Sequence, residues 1–489
     1  MLDATSMLRG AERRCLVTDE TTWTYADVIR HTNQIAHVLV DDLGLVPGNR
    51  VLLRGANNPW QVACWLAVLK AGGVVVSTMP LLRAGELRPV IDAAQPSLAI
   101  CDAGLEDELV GGTAGLPVLT VGDGADDLIA RSRAKPDTFA TVATAADDVA
   151  LIAFTSGTTG RPKGCMHFHR DVLAIADTFS SHVLHPHADS LFVASPPMAF
   201  TYGLGGMLVF PLRCGAASLL VEKTAPPLLA EAIARHGANV LFTAPTAYRA
   251  MLRLPEISLP SLEHCVSAGE HLPSSTWDAW REATGLRIID GIGATEMLHI
   301  FISASGDDIR PGATGRPVPG FRARVVDGDG RAAPDGVVGR LQVRGPVGCR
   351  YLCDDRQLHY VHDGWNVTGD SYVRDPDGYY WYQARTDDMI ISSGYNIAGP
   401  EVEGALLRHD DVAEAAVVGV PDESRGMLVK AYVVLVQGVA VGDDSARVLQ
   451  DFVKQQIAPY KYPRVIEFVD TLPRTSTGKL QRFRLREQG

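Results

Sequence analysis

Between residues 50 and 300, short runs of apolar and β-branched residues alternate with longer segments whose apolar residues recur at helical spacing. In the segment 59–71, for example, Val62, Trp65 and Leu69 fall on one face of a helix, and the segment 228–236 follows the same pattern. Strands that alternate with helices form parallel sheets covered by helices, so this region predicts an α/β fold. The predicted strands are 51–53, 74–77, 191–194, 218–221, 240–243 and 287–290.

The pattern changes twice in the rest of the chain. After residue 310, turns rich in glycine, proline and aspartate separate short strands, which indicates a smaller antiparallel, barrel-like unit. Beyond residue 387 the pattern predicts helix, strand, strand and helix, a compact α+β unit, in the segments 401–408, 415–420, 431–436 and 446–457. We therefore expect a large, multi-lobed N-terminal domain, residues 1–386, and a small C-terminal domain, residues 387–489.

Length and composition are those of a folded protein with more than one domain. The 489 residues exceed what one hydrophobic core usually holds, and 46% hydrophobic and 21% charged residues are close to the averages of folded chains. The best apolar run, around 62–76, is broken by Lys70 and falls short of the ~18 residues that span a bilayer. The N-terminus lacks the apolar segment of a secretory signal. We expect a cytoplasmic protein without a membrane partner.

The charge balance and the cysteines narrow the possible partners. A formal net charge of -12, without a stripe of lysine and arginine, argues against a nucleic-acid partner, because nucleic acids bind to clustered basic residues. The eight cysteines are scattered and several lie in apolar segments, as expected for reduced thiols. Any phosphate must therefore be held by a local group of donors.

The strongest local motif is the segment 154–164, Phe-Thr-Ser-Gly-Thr-Thr-Gly-Arg-Pro-Lys-Gly, which follows the apolar run 149–153. Glycines let backbone N–H groups turn toward an anion, hydroxyls add donors, and Lys163 adds charge. The residues of this predicted phosphate-binding loop are Thr155, Ser156, Gly157, Thr158, Thr159, Gly160 and Lys163. The P-loop NTPase motif does not fit, because it requires lysine directly after its second glycine, whereas Arg161 follows Gly160 here.

This loop resembles that of the acyl-adenylate-forming superfamily, which contains acyl-CoA synthetases, adenylation domains of peptide synthetases and beetle luciferases. Further motifs of that superfamily follow in order along nearly the whole chain. They are Ser267-Ala268-Gly269-Glu270, Asp290-Gly291-Ile292-Gly293-Ala294-Thr295-Glu296, Thr368-Gly369-Asp370, Arg385-Thr386-Asp387-Asp388 and Pro473-Arg474-Thr475-Ser476-Thr477-Gly478-Lys479. The resemblance implies that ATP is a substrate and that the small C-terminal domain is a mobile lid.

For the base and the phosphates, the resemblance implies that the segment 267–270 lies against the adenine, that Thr295 contacts the α-phosphate and that Glu296 holds Mg²⁺. One residue departs from the family pattern. Ile292 stands where the family usually has an aromatic residue, so aliphatic packing on the adenine would replace stacking.

For the ribose and the reacting groups, the resemblance implies that Asp370 accepts hydrogen bonds from both ribose hydroxyls, that Arg385 contacts the ribose, that Asp387 is the hinge and that Lys479 is catalytic. These residue types suit the chemistry. A carboxylate that attacks a phosphate brings two anions together, so cations are needed where charge accumulates: Mg²⁺ on Glu296, and Lys479 beside the reacting oxygens. A carboxylate such as Asp370 can accept two hydrogen bonds.

The segment 195–206 falls where the superfamily builds its acyl pocket, and it resembles the corresponding segment of benzoate:CoA and 2-aminobenzoate:CoA ligases. The segment 294–301 shows the same resemblance, and the stretch 58–87 resembles the 2-aminobenzoate group. The resemblance implies an aryl acid as substrate, with 2-aminobenzoate as the first candidate.

The residues assigned to the acid pocket suit a flat ring. Phe200 and Tyr202, with Thr201 between them and Gly203 beside them, predict apolar walls with room for an aromatic acid, although core aromatics beside a turn are an alternative. His299 is a candidate donor to the carboxylate or to an ortho substituent of the acid, and it is equally open to a role as a buried core residue.

The segment 392–397 resembles the loop beside the pantetheine tunnel of the family. Ser393, Gly394 and Tyr395 are the candidate tunnel residues, and Gly394 leaves space for a thin thiol arm. Coenzyme A and the phosphopantetheine of a carrier protein present the same arm, so this loop does not separate the two acceptors. We favour coenzyme A because no carrier domain is evident in the sequence.

We therefore expect an ATP-dependent acid–thiol ligase that forms an aryl-adenylate and passes the acyl group to coenzyme A. One alternative is a stand-alone adenylation enzyme that loads a carrier protein. A non-catalytic nucleotide-binding sensor is disfavoured, because every key residue is present: Lys163, Glu296, Asp370, Arg385 and Lys479. The preferred ring substituent, the pathway and the oligomeric state stay open at this point.

Overall fold

The computed structural model describes residues 1–112, 115–155, 162–385, 388–392, 395–422, 426–442, 444–475 and 480–487. Its strands are β1 (Arg14–Val17), β2 (Thr22–Thr24), β3 (Arg50–Arg54), β4 (Val74–Thr78), β5 (Leu98–Asp102), β6 (Val118–Val121), β7 (Val149–Thr155), β8 (Lys163–Phe168), β9 (Leu191–Ala194), β10 (Ala217–Leu219), β11 (Val240–Thr243), β12 (His264–Ser267), β13 (Ile288–Gly293), β14 (Ile300–Ser303), β15 (Arg316–Pro317), β16 (Arg322–Val326), β17 (Gly339–Arg344), β18 (Val361–His362), β19 (Trp365–Arg374), β20 (Tyr380–Arg385), β21 (Ile390–Ser392), β22 (Tyr395–Ile397), β23 (Val412–Asp422), β24 (Gly426–Leu435) and β25 (Val465–Phe468).

The α-helices cover the faces of the sheets. They are α1 (Leu2–Arg9), α2 (Tyr25–His37), α3 (Pro59–Lys70), α4 (Ala84–Ala94), α5 (Glu106–Gly112), α6 (Leu128–Arg133), α7 (His169–Ile175), α8 (Thr201–Leu204), α9 (Phe210–Cys214), α10 (Pro226–His236), α11 (Pro245–Met251), α12 (Ser274–Thr284), α13 (Gln357–Tyr360), α14 (Gly399–Leu406), α15 (Ser445–Gln456) and α16 (Arg482–Glu487). Three of them continue as π-helices, α2 into Val38–Asp42, α7 into Ala176–Leu184 and α8 into Gly205–Val209.

Two mainly parallel sheets form the body of the molecule. The six-stranded sheet has the order β6-β5-β3-β4-β7-β8, and the nine-stranded sheet has the order β15-β14-β13-β12-β11-β9-β10-β1-β2. Pairing is parallel from β6 to β7 and from β13 to β1, whereas β8, β14, β15 and β2 pair antiparallel. The α/β fold predicted from the alternation of strands and helices is confirmed.

The two sheets share one core because successive strand residues face opposite sides. In β3, Val51 and Leu53 lie in the shared core, whereas Leu52 between them packs in a second cluster with α4. In β11, Phe242 faces the shared core and Leu241 faces a third cluster with α10 and α12. Both faces of each sheet are therefore buried, which explains why these strands are continuous apolar runs in the sequence.

Helix α3 shows how the local sequence sets an element boundary. The side-chain oxygen of Asn58 accepts a hydrogen bond from the Gln61 N–H at 2.9 Å, and Pro59 occupies the first turn, where a missing N–H costs nothing. The helix ends at Lys70, one residue before the predicted boundary, and Gly72 follows in the left-handed region with φ +76°.

Two smaller units complete the fold. A five-stranded antiparallel sheet has the order β16-β17-β19-β18, with β20 also paired to β19. The C-terminal unit has the order β22-β21-β24-β23, with β25 parallel to β24, and helices α14 and α15 cover it through Val402, Leu406 and Leu449. The sequence predicts both kinds of unit, an antiparallel one and a compact α+β one, but it does not predict the short strands β21, β22 and β25.

In the described ranges, no helix has both the length and the apolar character needed to cross a bilayer.

Gly315 ties the nine-stranded sheet to the five-stranded one, and it tolerates no side chain. Its carbonyl oxygen accepts from the Tyr380 N–H at 2.8 Å, and the neighbouring Thr314 N–H donates to the Tyr380 carbonyl oxygen at 2.9 Å. The φ of Gly315 is +128°, and a Cβ there would lie 2.2 Å from the Ser303 carbonyl carbon. Gly336 also has a positive φ, +83°, but no heavy atom lies within 4 Å of a Cβ built there.

We expect Gly315→Ala to lower the free energy of unfolding by about 3 kcal/mol or more, and Gly336→Ala by about 1 to 2 kcal/mol.

Urea denaturation followed by tryptophan fluorescence checks this difference. Equal midpoints for the two variants would show that the close approach of Gly315 to the Ser303 backbone is unimportant.

Candidate active site

The predicted phosphate-binding loop connects β7 to its antiparallel neighbour β8. Thr155 ends β7, Lys163 begins β8, and the two residues lie opposite each other in the register of the pair. The hairpin therefore brings both ends of the loop together at the edge of the six-stranded sheet. The loop residues Ser156, Gly157, Thr158, Thr159 and Gly160 lie outside the described residues.

His167 connects this hairpin to the second predicted phosphate-side element, the 3₁₀ turn Thr295–Met297 that follows β13. Its Nε2 donates to the carbonyl oxygen of Thr295 at 2.7 Å, because a carbonyl oxygen can only accept. Its Nδ1 lies 3.7 Å from Asp171 Oδ2, and the side chains of His167 and Asp171 are 0% and 2% exposed. The buried His167, on β8 of one sheet, thus fixes the backbone of Thr295, in the turn after β13 of the other.

Tyr351 connects the two charged residues of the same region. Its hydroxyl donates to Glu296 Oε1 at 2.6 Å, and Lys163 Nζ lies 3.4 Å from that hydroxyl oxygen and 5.2 Å from the ring centroid. Burial and then the charge of Glu296 raise the pKa of Tyr351, so it stays a neutral donor. Lys163, predicted to bind phosphate, and Glu296, predicted to bind metal, therefore share one buried partner.

Asp370 and Arg385, the predicted ribose residues, face each other across β19 and β20. Arg385 Nη1 donates to Asp370 Oδ1 at 3.1 Å and lies 3.4 Å from the Thr368 carbonyl oxygen. Gly369, at φ +77°, leaves room for the guanidinium, because a Cβ there would lie 2.9 Å from Arg385 Nη2. The structure thus brings together two residues that are 15 positions apart in the chain.

The predicted adenine-side segment turns sharply out of β12. Ser267, the last residue of β12, and Ala268 are buried, and Gly269 follows with φ +92°. Glu270 then forms an ion pair with Arg474 Nη1 at 3.1 Å. The segment therefore contacts the C-terminal unit as well as the nucleotide side of the sheet.

Asp290 lies next to Ser267 in the register of β12 and β13. Burial raises the pKa of Asp290 to about 8, against the lowering effect of the Ser267 side chain and the Gly291 N–H. The two glycines of this strand, Gly291 and Gly293, allow β14 to approach, because a Cβ on either would lie within 2.8 Å of it. Ile292 is partly buried against the shared core.

His299 lies in an aromatic cage formed by Phe179, Tyr202, Phe210 and Phe242. The distances from its ring centroid to theirs are 5.4, 5.6, 4.6 and 6.2 Å in that order. Burial lowers the pKa of His299 to about 3, only partly offset by the Tyr202 backbone, and neither ring nitrogen has a hydrogen-bond partner among the described residues. His299 is therefore a neutral polar group in an apolar pocket.

Tyr202 is held rigidly at the wall of this cage. Its hydroxyl donates toward the carbonyl oxygens of Thr243 at 3.2 Å and Val266 at 3.0 Å, at the ends of β11 and β12. Gly205, in the π-helical segment after α8, makes room for His299, since a Cβ there would lie 2.4 Å from its Cδ2. Short π-helical segments occur often at functional sites.

The other predicted pocket residues lie at the start of α8. Phe200 is the N-cap and Thr201 the first residue of that helix, and the structure places no ring of Phe200 against His299 in the described part of the chain. Gly203 faces backbone, because a Cβ on it would lie 2.2 Å from the Pro197 carbonyl oxygen. Its role is thus to let the turn close, rather than to open space for a ring.

Several predicted residues lie outside the described part of the chain: Asp387, Ser393, Gly394 and Lys479. The backbone of Tyr395 begins β22.

Sequence reasoning missed the residues that hold the predicted ones in place. His167 and Asp171 lie just after the phosphate-binding loop, and their i, i+4 spacing is a weak signal that was available. Tyr351 had no local signal, because it is 188 positions from Lys163 and 55 from Glu296. From the sequence alone, Phe179 and Phe210 are predicted only as core residues. The fold shows that both rings pack against His299.

Comparison with known proteins shows the family of the chain. The family model of the AMP-binding enzyme matches residues 4–351, and that of the AMP-binding enzyme C-terminal domain matches residues 401–479. A benzoate–CoA ligase from Thauera aromatica is 36% identical over 485 residues, which is 96% of this chain and 92% of that protein.

Two solved structures superpose over nearly the whole chain. An anthranilate CoA ligase in complex with anthranoyl-AMP has a TM-score of 0.95 and 34% identity, covering 100% of this chain and 96% of that one. A benzoate CoA ligase from Burkholderia xenovorans LB400 has a TM-score of 0.93 and 32% identity, with 99% of each chain covered.

The contribution of the hydrogen bond from Tyr351 to Glu296 to the free energy of unfolding should be measurable without any ligand. Tyr351→Phe leaves a buried carboxylate without its donor, so we expect it to lower the free energy of unfolding by about 1.5 to 3 kcal/mol. Tyr360 is a matched control: its ring lies 5.7 Å from that of Tyr351, and its buried hydroxyl has no partner among the described residues. Tyr360→Phe should leave the stability unchanged or raise it slightly. If both variants unfold at the same urea concentration, the Tyr351 hydrogen bond contributes nothing.

Proposed function

Since the chain belongs to the AMP-binding enzymes, we propose that it is an aryl-acid:CoA ligase whose preferred acid is 2-aminobenzoate. Its match to both family models and its likeness to benzoate and anthranilate CoA ligases support an ATP-dependent, AMP-forming acid–CoA ligase. The narrower choice of acid depends on the cage around His299.

The reaction has two steps. In the first, a carboxylate oxygen of the acid attacks the α-phosphorus of ATP, the bond to the β-phosphate oxygen breaks, and pyrophosphate leaves. In the second, the thiolate of coenzyme A attacks the carbonyl carbon of the adenylate, and AMP leaves with the oxygen that joined it to the acyl group. The first step brings two anions together, so the site must supply hydrogen-bond donors and cations.

The chain supplies donors and cations on the phosphate side. The loop after Thr155 and the ammonium group of Lys163 are the proposed partners of the phosphates, and Thr295, whose carbonyl is fixed by His167, presents its side chain and N–H to the α-phosphate. The carboxylate of Glu296 is a hard oxygen ligand of the kind Mg²⁺ prefers, and Tyr351 holds it in one orientation. Mg²⁺ bound there would reduce the repulsion between the phosphates and the acid.

The nucleoside side is the pair Asp370 and Arg385, with the segment 267–270 and Ile292 next to the base. Asp370 would accept from the vicinal ribose hydroxyls while Arg385 keeps its carboxylate oriented. Ile292 packs on the adenine in place of an aromatic ring.

One observation carries the choice of acid: the aromatic cage encloses a neutral histidine without a hydrogen-bond partner among the described residues. Tyr202, which is only partly buried, and His299 are the members of the cage that we propose contact the acid, and offset or edge-to-face ring contacts favour an aromatic ligand. A neutral imidazole has one accepting nitrogen, and the amino group of 2-aminobenzoate can donate to it. Benzoate has no such donor, so the desolvated His299 would stay unsatisfied.

The proposed acceptor is free coenzyme A, because the named relatives are CoA ligases. Ser393, Gly394 and Tyr395 are the proposed walls of the tunnel for its thiol arm. Asp387 is the proposed hinge about which the C-terminal domain turns between the two steps. A carrier protein is the alternative acceptor, and the test below includes it.

The proposed function is tested with a panel of carboxylic acids, by measuring pyrophosphate release with ATP alone and with coenzyme A or a phosphopantetheine-loaded carrier protein added. We expect 2-aminobenzoate to give the highest kcat/KM, ahead of benzoate, with thioester formed on coenzyme A. Higher kcat/KM for long-chain fatty acids or α-amino acids than for any benzoate would refute the aryl-acid assignment.

His299→Ala tests the basis of the preference. Without the imidazole, the ratio of kcat/KM for 2-aminobenzoate over benzoate should fall by about 10-fold, the value of one hydrogen bond. Phe179→Ala is the matched control, because it removes a ring from the same cage without removing a hydrogen-bonding group. It should lower both activities and leave their ratio unchanged. If the two variants change the ratio equally, His299 does not read the ortho substituent.

Lys479→Ala separates the two steps. A lysine on a mobile domain can serve the first step and leave before the second, so we expect adenylate formation to fall by on the order of 10²-fold. Thioester formation from a synthetic aryl-adenylate and coenzyme A should survive. Equal loss in both steps would contradict the two-orientation mechanism.

A further inference from the structure

The guanidinium of Arg474 joins the two domains. Its Nη1 lies 3.1 Å from Glu270 Oε1, just beyond β12 of the nine-stranded sheet, and its Nη2 lies 2.5 Å from Glu414 Oε2 in β23 of the C-terminal unit. The three side chains are 26%, 20% and 34% exposed in the order Arg474, Glu270, Glu414. The ion pairs are thus partly shielded from water and from screening by salt.

The backbone of Arg474 is also tied to the residues that follow Lys479 in the sequence. It forms an antiparallel bridge with Leu480, and the Gln481 N–H donates to the Pro473 carbonyl oxygen at 2.9 Å. The place where the Arg474 side chain is held therefore bears on the position of Leu480, the residue next to Lys479.

Positive and negative charges balance one another around the two ion pairs of Arg474. Arg253 Nη2 donates to the Ala413 carbonyl oxygen at 2.6 Å, a second contact between the two domains. Arg249 is partly buried near Glu270 and Glu414, and its burial lowers its pKa while those two carboxylates oppose the effect. Glu270 therefore has two arginines near it, and Arg474 has two carboxylates. Loss of one member leaves every remaining charge with an opposite partner.

We propose that the ion pair between Arg474 and Glu270 docks the C-terminal unit on the N-terminal domain and so makes Arg474, five positions before Lys479 in the sequence, a positioning residue for adenylate formation. The proposal rests on the proposed function, because it assigns the pair to the first of the two steps. Glu270 belongs to the segment predicted to lie next to the adenine, so the pair would hold the C-terminal unit against the proposed nucleotide site. Because the domain must turn for the second step, a partly exposed pair that water can break is suitable.

The matched variants are Glu270→Gln and Glu414→Gln, which each remove one carboxylate from Arg474. Glu270→Gln breaks the contact between domains and should slow adenylate formation, measured as pyrophosphate release without coenzyme A, by about 10-fold. Thioester formation from a synthetic aryl-adenylate should stay within about twofold of the wild type. Glu414→Gln keeps the interdomain pair and should slow adenylate formation by less than about threefold.

A charge reversal adds a rescue. Arg474→Glu alone places a third carboxylate beside Glu270 and Glu414, whereas Arg474→Glu combined with Glu270→Arg restores opposite charges across the interface and should recover part of the lost rate. Equal losses in both steps for Glu270→Gln, or a rise in KM for ATP without a fall in kcat, would overturn the proposal. The second result would mean that Glu270 acts only on the adenine.

Hydrogen–deuterium exchange on the full chain without substrate tests the docking by itself. Peptides from residues 465–475 should exchange faster in Glu270→Gln than in the wild type and in Glu414→Gln. Unchanged exchange would overturn the docking whatever the enzyme activates. If no aryl acid supports pyrophosphate release by the wild type, the proposed function fails, and the exchange result still decides whether the pair holds the domains together.

Discussion

The hydrogen bond from His167 to the Thr295 carbonyl oxygen is the constraint on which the site depends. It joins β8, at the edge of the six-stranded sheet, to the turn after β13 of the nine-stranded sheet. Together with the hydrogen bond from Tyr351 to Glu296, it fixes the position of β8, which begins at Lys163, relative to the carboxylate proposed to hold metal. Because these donors and acceptors are buried, a mismatch would leave polar groups unsatisfied, which makes the register between the sheets specific.

The polarity of the site changes over a short distance. On the phosphate side, the partners of Lys163 and Glu296 are polar and support charge. On the acid side, His299 is kept neutral by the rings around it, and Asp290 has a pKa raised to about 8 by burial. These two environments suit the proposed ligands, a charged phosphate on one side and a flat apolar ring on the other, and in the proposed function the reacting carboxylate would lie where they meet.

The sequence predicts most of the fold, because strands and helices here follow local patterns: β3, β4, β9 and β11 lie where apolar runs predicted strands. It also points to the residues of short motifs, such as Asp370 and Arg385. It does not predict pairings between distant residues, such as Tyr351 with Glu296 or Arg474 with Glu270, because nothing near either partner marks the other. Gly203 shows the same limit. A glycine at this place in the sequence suits a pocket, whereas only the folded backbone shows that it faces the Pro197 carbonyl oxygen.

The central claim is that one site holds an adenylate with its acyl ring in the aromatic cage and its ribose on Asp370. The most direct measurement is a crystal structure with a non-hydrolysable sulfamate analogue of 2-aminobenzoyl-adenylate. We predict the ring within contact distance of Tyr202 and His299, the ortho-amino group donating to the imidazole, and both ribose hydroxyls on the Asp370 carboxylate. A ring bound outside the cage, or an adenosine that does not contact Asp370, would contradict the account.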